Sequence, residues 1–454
     1  MKFPGPKAIE ILRKRDRYCA TSTYSSRVVP DRREGSVVID CDGFPFIDLN
    51  CGASVLNLGQ CEEVADAIGE AAHRNIFTEF HQGPNADGVA FAEILAEQSP
   101  VKKPSKVFYA NSGTEANEAA IKVCEAHRYH LGEKENRKKG FYFLNGFAGR
   151  THGTLVATTS NPEAQRNPFW NHCDKLNSCY LPYPRRGRAY AELQTCLREG
   201  RDLFGNRFSL EEIDHLLIEL PCQGEGGVFP VDEEGLRYLY HITQDAGIFF
   251  IADVIQCGMG RTGSIFGFDC FPWLKPDILT MAKALAGGVS TGAAIFRADI
   301  DWKPNEHSNT YGGHPVAMSA ALVALKETER LIKEGVVERL ATSLETRLQG
   351  LAEQFPDLIL EVRGWGAMWG IEVRGPQLKS RIITLGEEIV EETGCGLLLL
   401  GAGNQTGSPV DVVRVMPPLN ITQEDIDCAF DVLKKVFTKV HREFEDISYT
   451  HFIR

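Results

Sequence analysis

The chain has 454 residues, enough for two or three domains, and its 61 acidic against 49 basic residues give a formal net charge of −12. That balance argues against a general nucleic-acid binder and leaves no basic footprint for a membrane surface; no apolar run approaches the length of a membrane span. The 13 cysteines are odd in number and scattered, and the start of the chain does not read as a secretory signal, so reduced thiols and a cytoplasmic location are expected.

In chain order, residues 1–20 carry a helical pattern and read as an arm. Residues 36–49 read as a hairpin turning at Asp42-Gly43, and residues 62–75 as an alanine-rich helix. A strand over 106–110 then leads through Asn111-Ser-Gly-Thr114 into a helix over 115–128. Small hydroxyl residues and a glycine before a helix suit a phosphate, because free N–H groups and the helix dipole face the anion. The same residues serve equally as an N-cap. A strand over 141–144 enters Asn145-Gly-Phe-Ala-Gly-Arg-Thr-His152, where Phe147 either stacks on a bound ring or joins the core. Residues 160–210 are polar, rich in Pro and Arg, and poorly periodic. His172, Cys173 and Cys179 lie close together but lack C-x-x-C or H-E-x-x-H spacing, so no metal is expected.

A strand over 216–220 enters Pro221-Cys-Gln-Gly-Glu-Gly-Gly227, and a helix over 233–246 precedes the central apolar run, 248–253, which ends on Asp253. A second apolar run, 278–282, ends just before Lys283 and Ala284-Leu-Ala-Gly-Gly288. In an open parallel sheet such strand ends are where ligands sit. An acid and a lysine there fit pyridoxal phosphate, the lysine forming a Schiff base and the acid facing the ring nitrogen. Taken alone, such residues are more often a turn cap and a solvated surface lysine. Gly258-Met-Gly-Arg-Thr-Gly263 matches the dinucleotide pattern G-x-G-x-x-G, but Gly267 and Pro272 break the stretch where the helix should start, and no strand-end acid completes the fingerprint. A strand over 292–297, the loop Asn309-Thr-Tyr-Gly-Gly-His-Pro315 and a long helix over 316–334 come next. Strands and helices thus alternate from about 105 to 300, which predicts a doubly wound sheet. Residues 345–454 read differently, with strand-like stretches at 360–373 and 411–419 and a helix over 423–440. This α+β part is expected to pack with residues 1–50.

Together, and in order, these motifs resemble the class III aminotransferases of the 4-aminobutyrate and ornithine branch. The resemblance runs from about residue 5 to 440. It implies an α/β chain of pyridoxal-phosphate fold type I: a large doubly wound, mostly parallel sheet domain over 56–335, and a smaller α+β domain made of residues 1–55 and 336–454. It implies that Lys283 carries the cofactor and that Asp253 faces the pyridine nitrogen. Gln256 bonds the ring hydroxyl, Ile255 and Phe147 cover the two ring faces, and Ser112, Gly113 and Thr114 hold the phosphate. Thr310 reaches the phosphate of a neighbouring subunit, which implies a homodimer or a dimer of dimers with shared sites. Arg150 and Arg414 match arginines that handle substrate carboxylates, and Glu225 matches a glutamate that pairs with Arg414.

The activity so implied is transfer of an amino group from an ω-amino acid to 2-oxoglutarate by a ping-pong route. The alternative is an amino-acid racemase or epimerase on the same scaffold. The chain departs from the family pattern at Val254 and at Leu220, where glutamates are usual, and at Gly59-Gln-Cys-Glu-Glu63, where Gly-His-x-x-Pro is usual. A glutamate near the cofactor is therefore expected to be missing.

Overall fold

The computed structural model describes residues 2–20, 26–77, 79–133, 136–172, 177–185, 187–402 and 410–448. Its strands are β1 (Pro30–Glu34), β2 (Val37–Asp40), β3 (Pro45–Asp48), β4 (Ser105–Ala110), β5 (Lys139–Phe143), β6 (Ser178–Leu181), β7 (Ile213–Glu219), β8 (Cys222–Gln223), β9 (Phe229–Pro230), β10 (Phe249–Asp253), β11 (Ile278–Met281), β12 (Gly292–Arg297), β13 (Ile359–Trp365), β14 (Met368–Val373), β15 (Gly396–Leu398), β16 (Leu400–Ala402) and β17 (Asp411–Val415). Seven form the main sheet, in the order β4-β12-β11-β10-β7-β5-β6.

Every residue of β10 is buried, as a central strand covered on both faces requires. It pairs in parallel with β7 and β11, so Asp253 stands level with Glu219 on one side and Thr280 on the other. β12 runs antiparallel to both its neighbours. β4 therefore points the same way as the rest, and the C-terminal ends of β4, β5, β7, β10 and β11 meet at one edge. The helix Gly113–His130 lays Ala116, Ala119, Ala120, Val123 and Cys124 on the sheet. The helix Glu233–Asp245 is capped by Asp232, which accepts from Gly235 N, and opens with Glu233 and Glu234 at its positive end.

β3 pairs in parallel with β15, completing the sheet β1-β2-β3-β15, and the hairpin β13–β14 joins β17 and β16 in another. The stretch 360–373 is thus two strands rather than one. The aperiodic stretch 160–210 holds β6 and the helix Arg188–Glu199, which is bounded by Gly187 and Gly200. The residues Gly258–Gly263 form turns rather than a helix start. Cys173 lies outside the described residues. Among those described, no helix is long and apolar enough to cross a membrane, no group of His, Cys, Asp and Glu is arranged to hold a metal, and the cysteines are free thiols.

Arg261 joins these parts. It is 0% exposed, and its guanidinium donates to Ala367 O at 3.0 Å, Pro417 O at 2.7 Å and Asn57 Oδ1 at 2.7 Å. A buried charge held by three acceptors is costly to remove, because each acceptor is then stranded without water. Arg261→Ala is expected to lower unfolding free energy by about 3–5 kcal/mol, measured by chemical denaturation. A loss below about 1 kcal/mol would show that the acceptors find other partners.

Candidate active site

The shared strand edge opens into a cavity of about 280 Å³, lined among others by Ser112, Gly113, Thr114, Asn117, Phe147, Arg150, Glu219, Glu225, Asp253, Ile255, Gln256 and Lys283. Of the residues singled out from sequence, only Thr310 and Arg414 are absent from that lining. Arg414, on β17, reaches the site by its ion pair with Glu225. Thr310 is exposed.

Asp253 lies at the cavity floor and is only 4% exposed. Its Oδ2 accepts from Asn117 Nδ2 at 2.8 Å, and its Oδ1 from Ile255 N at 2.9 Å. Asn117 is aimed in turn by Thr280 Oγ1, which donates to its Oδ1 at 2.8 Å, and by Ala148 O, which accepts from its Nδ2 at 3.0 Å. Burial pushes the Asp253 carboxyl up to about 6, while the Asn117 and Ile255 donors and the nearby Lys283 charge oppose that rise.

Lys283 follows β11 with φ +51, a left-handed backbone uncommon for a lysine. Its ammonium faces Glu225, Asp253 and Glu219, yet burial dominates and lowers its pKa, so the amine is more readily freed of its proton.

At the other wall, Ser112 caps the helix and lines the cavity: its Oγ accepts from Glu115 N at 3.3 Å. Thr114 Oγ1 sits 2.8 Å from Thr154 Oγ1 and 3.1 Å from Thr151 Oγ1. A Cβ on Gly113 would lie 2.9 Å from Ile255, so only glycine lets that side chain close over the helix end. The first N–H groups of a helix have no acceptor in the preceding turn, so the helix end at this wall suits an anion.

Arg150 is exposed at the mouth, its guanidinium carbon 5.8 Å from the centre of the Phe147 ring. Arg414, 2% exposed, donates from Nη1 to Glu225 Oε1 at 2.8 Å and from Nη2 to Gly401 O at 2.9 Å. Its Nε has no hydrogen-bond partner among the described residues. Burial works to raise the Glu225 carboxyl, but Arg414, Lys283 and Arg150 together hold it below the usual range.

Asn117 and Glu219 line this cavity and were not read as site residues from the sequence. Asn117 is a polar residue on the sheet-facing side of an alanine-rich helix, and that misfit was the available signal. Glu219 corrects the expectation that a cavity glutamate is missing. Glu219 ends β7 and faces the cavity, whereas Leu220, the next residue and the position where the family glutamate is usual, turns into the core. Val254, the other departure, is packed in the core.

The family profile described as aminotransferase class-III matches residues 18–437. The chain belongs to the class III aminotransferases. As a member it is a pyridoxal-phosphate-dependent aminotransferase of fold type I, and the buried acid, the cavity-facing lysine and the anion cradle suit that cofactor. This class III chain is 31% identical over 418 residues to an acetylornithine aminotransferase of Methanocaldococcus jannaschii, covering 90% of this chain and 93% of the relative. It is 30% identical over 457 residues to an isoleucine 2-epimerase of Lentilactobacillus buchneri, covering 96% and 95%. Among solved structures, the ornithine aminotransferase of Toxoplasma gondii superposes with a TM-score of 0.78 at 25% identity, covering 97% of both chains.

Gln256 occupies the space where Gly224 has no side chain: a Cβ on Gly224 would sit 1.6 Å from Gln256 Oε1. Gly224→Ala is expected to drive Gln256 off the cavity wall and weaken pyridoxal phosphate binding by the apoprotein about ten-fold, the loss of one good hydrogen bond. Fluorescence titration measures it. Unchanged affinity would free Gln256 from any part in holding the cofactor.

Proposed function

We propose that this aminotransferase takes the amino group from an ω-amino donor of the 4-aminobutyrate or ornithine kind and gives it to 2-oxoglutarate in two ping-pong half-reactions. The observation that carries this reading is the Arg414–Glu225 pair at 2.8 Å. Such an enzyme meets two partners of different shape. The donor presents its amine at a chain end with no adjacent carboxylate, whereas the acceptor has a carboxylate beside the reacting carbon. An arginine near that carbon serves the acceptor but faces the donor as a bare charge. With Glu225 paired, Arg414 is neutralised for the donor; with Glu225 withdrawn, its fork is open to the acceptor. A partly buried pair of this kind is worth a few kcal/mol to the state that holds it. Arg150, at the mouth, is left for the distal carboxylate. The relatives named for acetylornithine and ornithine support a donor of that outline.

Pyridoxal phosphate supplies the electron sink that makes the C–H bond beside the reacting nitrogen acidic. The chain supplies the rest. Ser112, Gly113 and Thr114 would hold the phosphate at the helix end, and Phe147 and Ile255 would cover the ring. Gln256 bonds the ring hydroxyl. Asp253 keeps the ring nitrogen protonated, since its charge in a poorly solvated site favours a cation beside it. Lys283 Nζ, once displaced by the donor's amine, would take the proton from the amine-bearing carbon as general base and then give it up as general acid. Thr310, exposed and away from its own cavity, serves the phosphate of a second subunit, so the working unit is a homodimer or a dimer of dimers.

Isomerisation of an amino acid is the second reading, favoured by the similarity to the Lentilactobacillus buchneri epimerase. It requires reprotonation on the opposite face of the same carbon, with no oxo acid consumed.

Glu225→Ala tests the choice. It is expected to lower kcat/KM for 4-aminobutyrate or ornithine by about ten- to a hundred-fold while sparing or improving glutamate, the size of a lost partly buried charge pair. Equal losses for both donor classes would show that Glu225 does not switch. Loss of optical rotation from a neutral α-amino acid without any oxo acid would establish the isomerase instead.

A further inference from the structure

Glu219 is the acid in the cavity to which the proposed reaction gives no part. It ends β7 as the register partner of Asp253 on β10, so the two carboxyls leave one face of the sheet at one level, a strand spacing apart. Both of its oxygens are engaged. Phe147 N donates to Oε1 at 2.9 Å, and Gly224 N donates to Oε2 at 3.0 Å. The first donor belongs to the loop that carries the Phe147 ring, and the second immediately precedes Glu225. Tyr183 Oη donates to the Glu219 carbonyl at 2.8 Å and fixes the strand end beneath it. Facing the carboxyl are Asp253 from β10, Glu225 from the loop before β9, Lys283 from the turn after β11, and the thiols of Cys222 and Cys257.

Two neighbouring carboxyls in a poorly solvated site do not both ionise freely. Burial, then the charge of Asp253, pushes Glu219 up to about 8, against about 6 for Asp253 itself. Of the two carboxyls Glu219 is the more strongly raised, although the N–H groups of Gly224 and Phe147 work against that rise.

We propose that Glu219 is a positioning residue for this reaction: its carboxyl, level with Asp253, ties the loop of Phe147 to the loop of Glu225. The tie is expected to be a neutral one, which adds no second negative charge beside Asp253. The inference rests on the role proposed above for Asp253. Its first test uses apoprotein and no substrate, so it fails or succeeds independently of the donor assignment.

A carboxyl whose pKa is raised on folding binds a proton that the unfolded chain has already lost. Its contribution to stability therefore falls as pH rises from the unfolded value toward about 8 and then levels off. Glu219→Gln has no such proton to lose. From pH 6 to 8.5, the unfolding temperature of the Glu219→Gln apoprotein is expected to rise by about 2–4 °C relative to the wild type. Parallel curves would overturn the proposal. Should that variant not fold, infrared spectra of the wild-type apoprotein are expected to lose one protonated-carboxyl C=O band near pH 8; no loss there overturns it as well. In the loaded enzyme, Glu219→Ala strands both N–H groups and is expected to turn over about ten-fold more slowly than Glu219→Gln. Equal turnover of the two variants would remove the positioning role.

Discussion

A carboxylate held at the floor of a protein cavity is the constraint on which the rest of this site depends. Left to itself, Asp253 would take up a proton, because burial disfavours its charge. Two donors oppose this, Asn117 Nδ2 and Ile255 N, and neither is accidental. Asn117 is fixed by Thr280 on the strand next to Asp253 and by the loop carbonyl of Ala148. The acid is thus coupled to the helix that forms the anion cradle, to the strand that delivers Lys283 and to the loop of Phe147. Displacing any one of these elements alters the charge on Asp253.

The sheet converts that local arrangement into a site. Strands of one direction bring their C-terminal ends to one edge, so five separate loops reach the cavity although they are spread from residue 111 to residue 283. Charge is distributed with similar economy. Glu225 neutralises Arg414, Arg414 lies too deep to find water, and Lys283 sits among carboxyls yet is more strongly affected by its burial. In the function proposed above, the same pair serves two occupants of different charge.

Much of this was legible in the chain because parallel strands leave a strong trace. The runs before Asp253 and Lys283 are continuous and apolar, so both the strands and the residues at their ends could be read. The alternation from 105 to 300 was legible for the same reason, and the antiparallel hairpin at Asp42-Gly43 by its turn residues. Pairings across long separations were not. Arg414 and Glu225 lie 189 residues apart, and only resemblance to a family joined them. Glu219 was hidden by a one-residue question of phase, since a strand sends successive side chains to opposite faces. In the aperiodic stretch, Leu193, Cys196 and Leu197 do carry helical spacing and are buried, but the polar residues around them dilute the pattern. The reversed direction of β12 left no trace at all, because a buried strand reads the same either way.

Lys283, placed by a left-handed turn just after β11, is the residue proposed to bond the cofactor, and the other roles in the site depend on it. Borohydride reduction of the loaded enzyme, digestion and peptide mapping test this most directly. A pyridoxyl group on Lys283 is the result expected, and a pyridoxyl group on any other lysine would contradict the account.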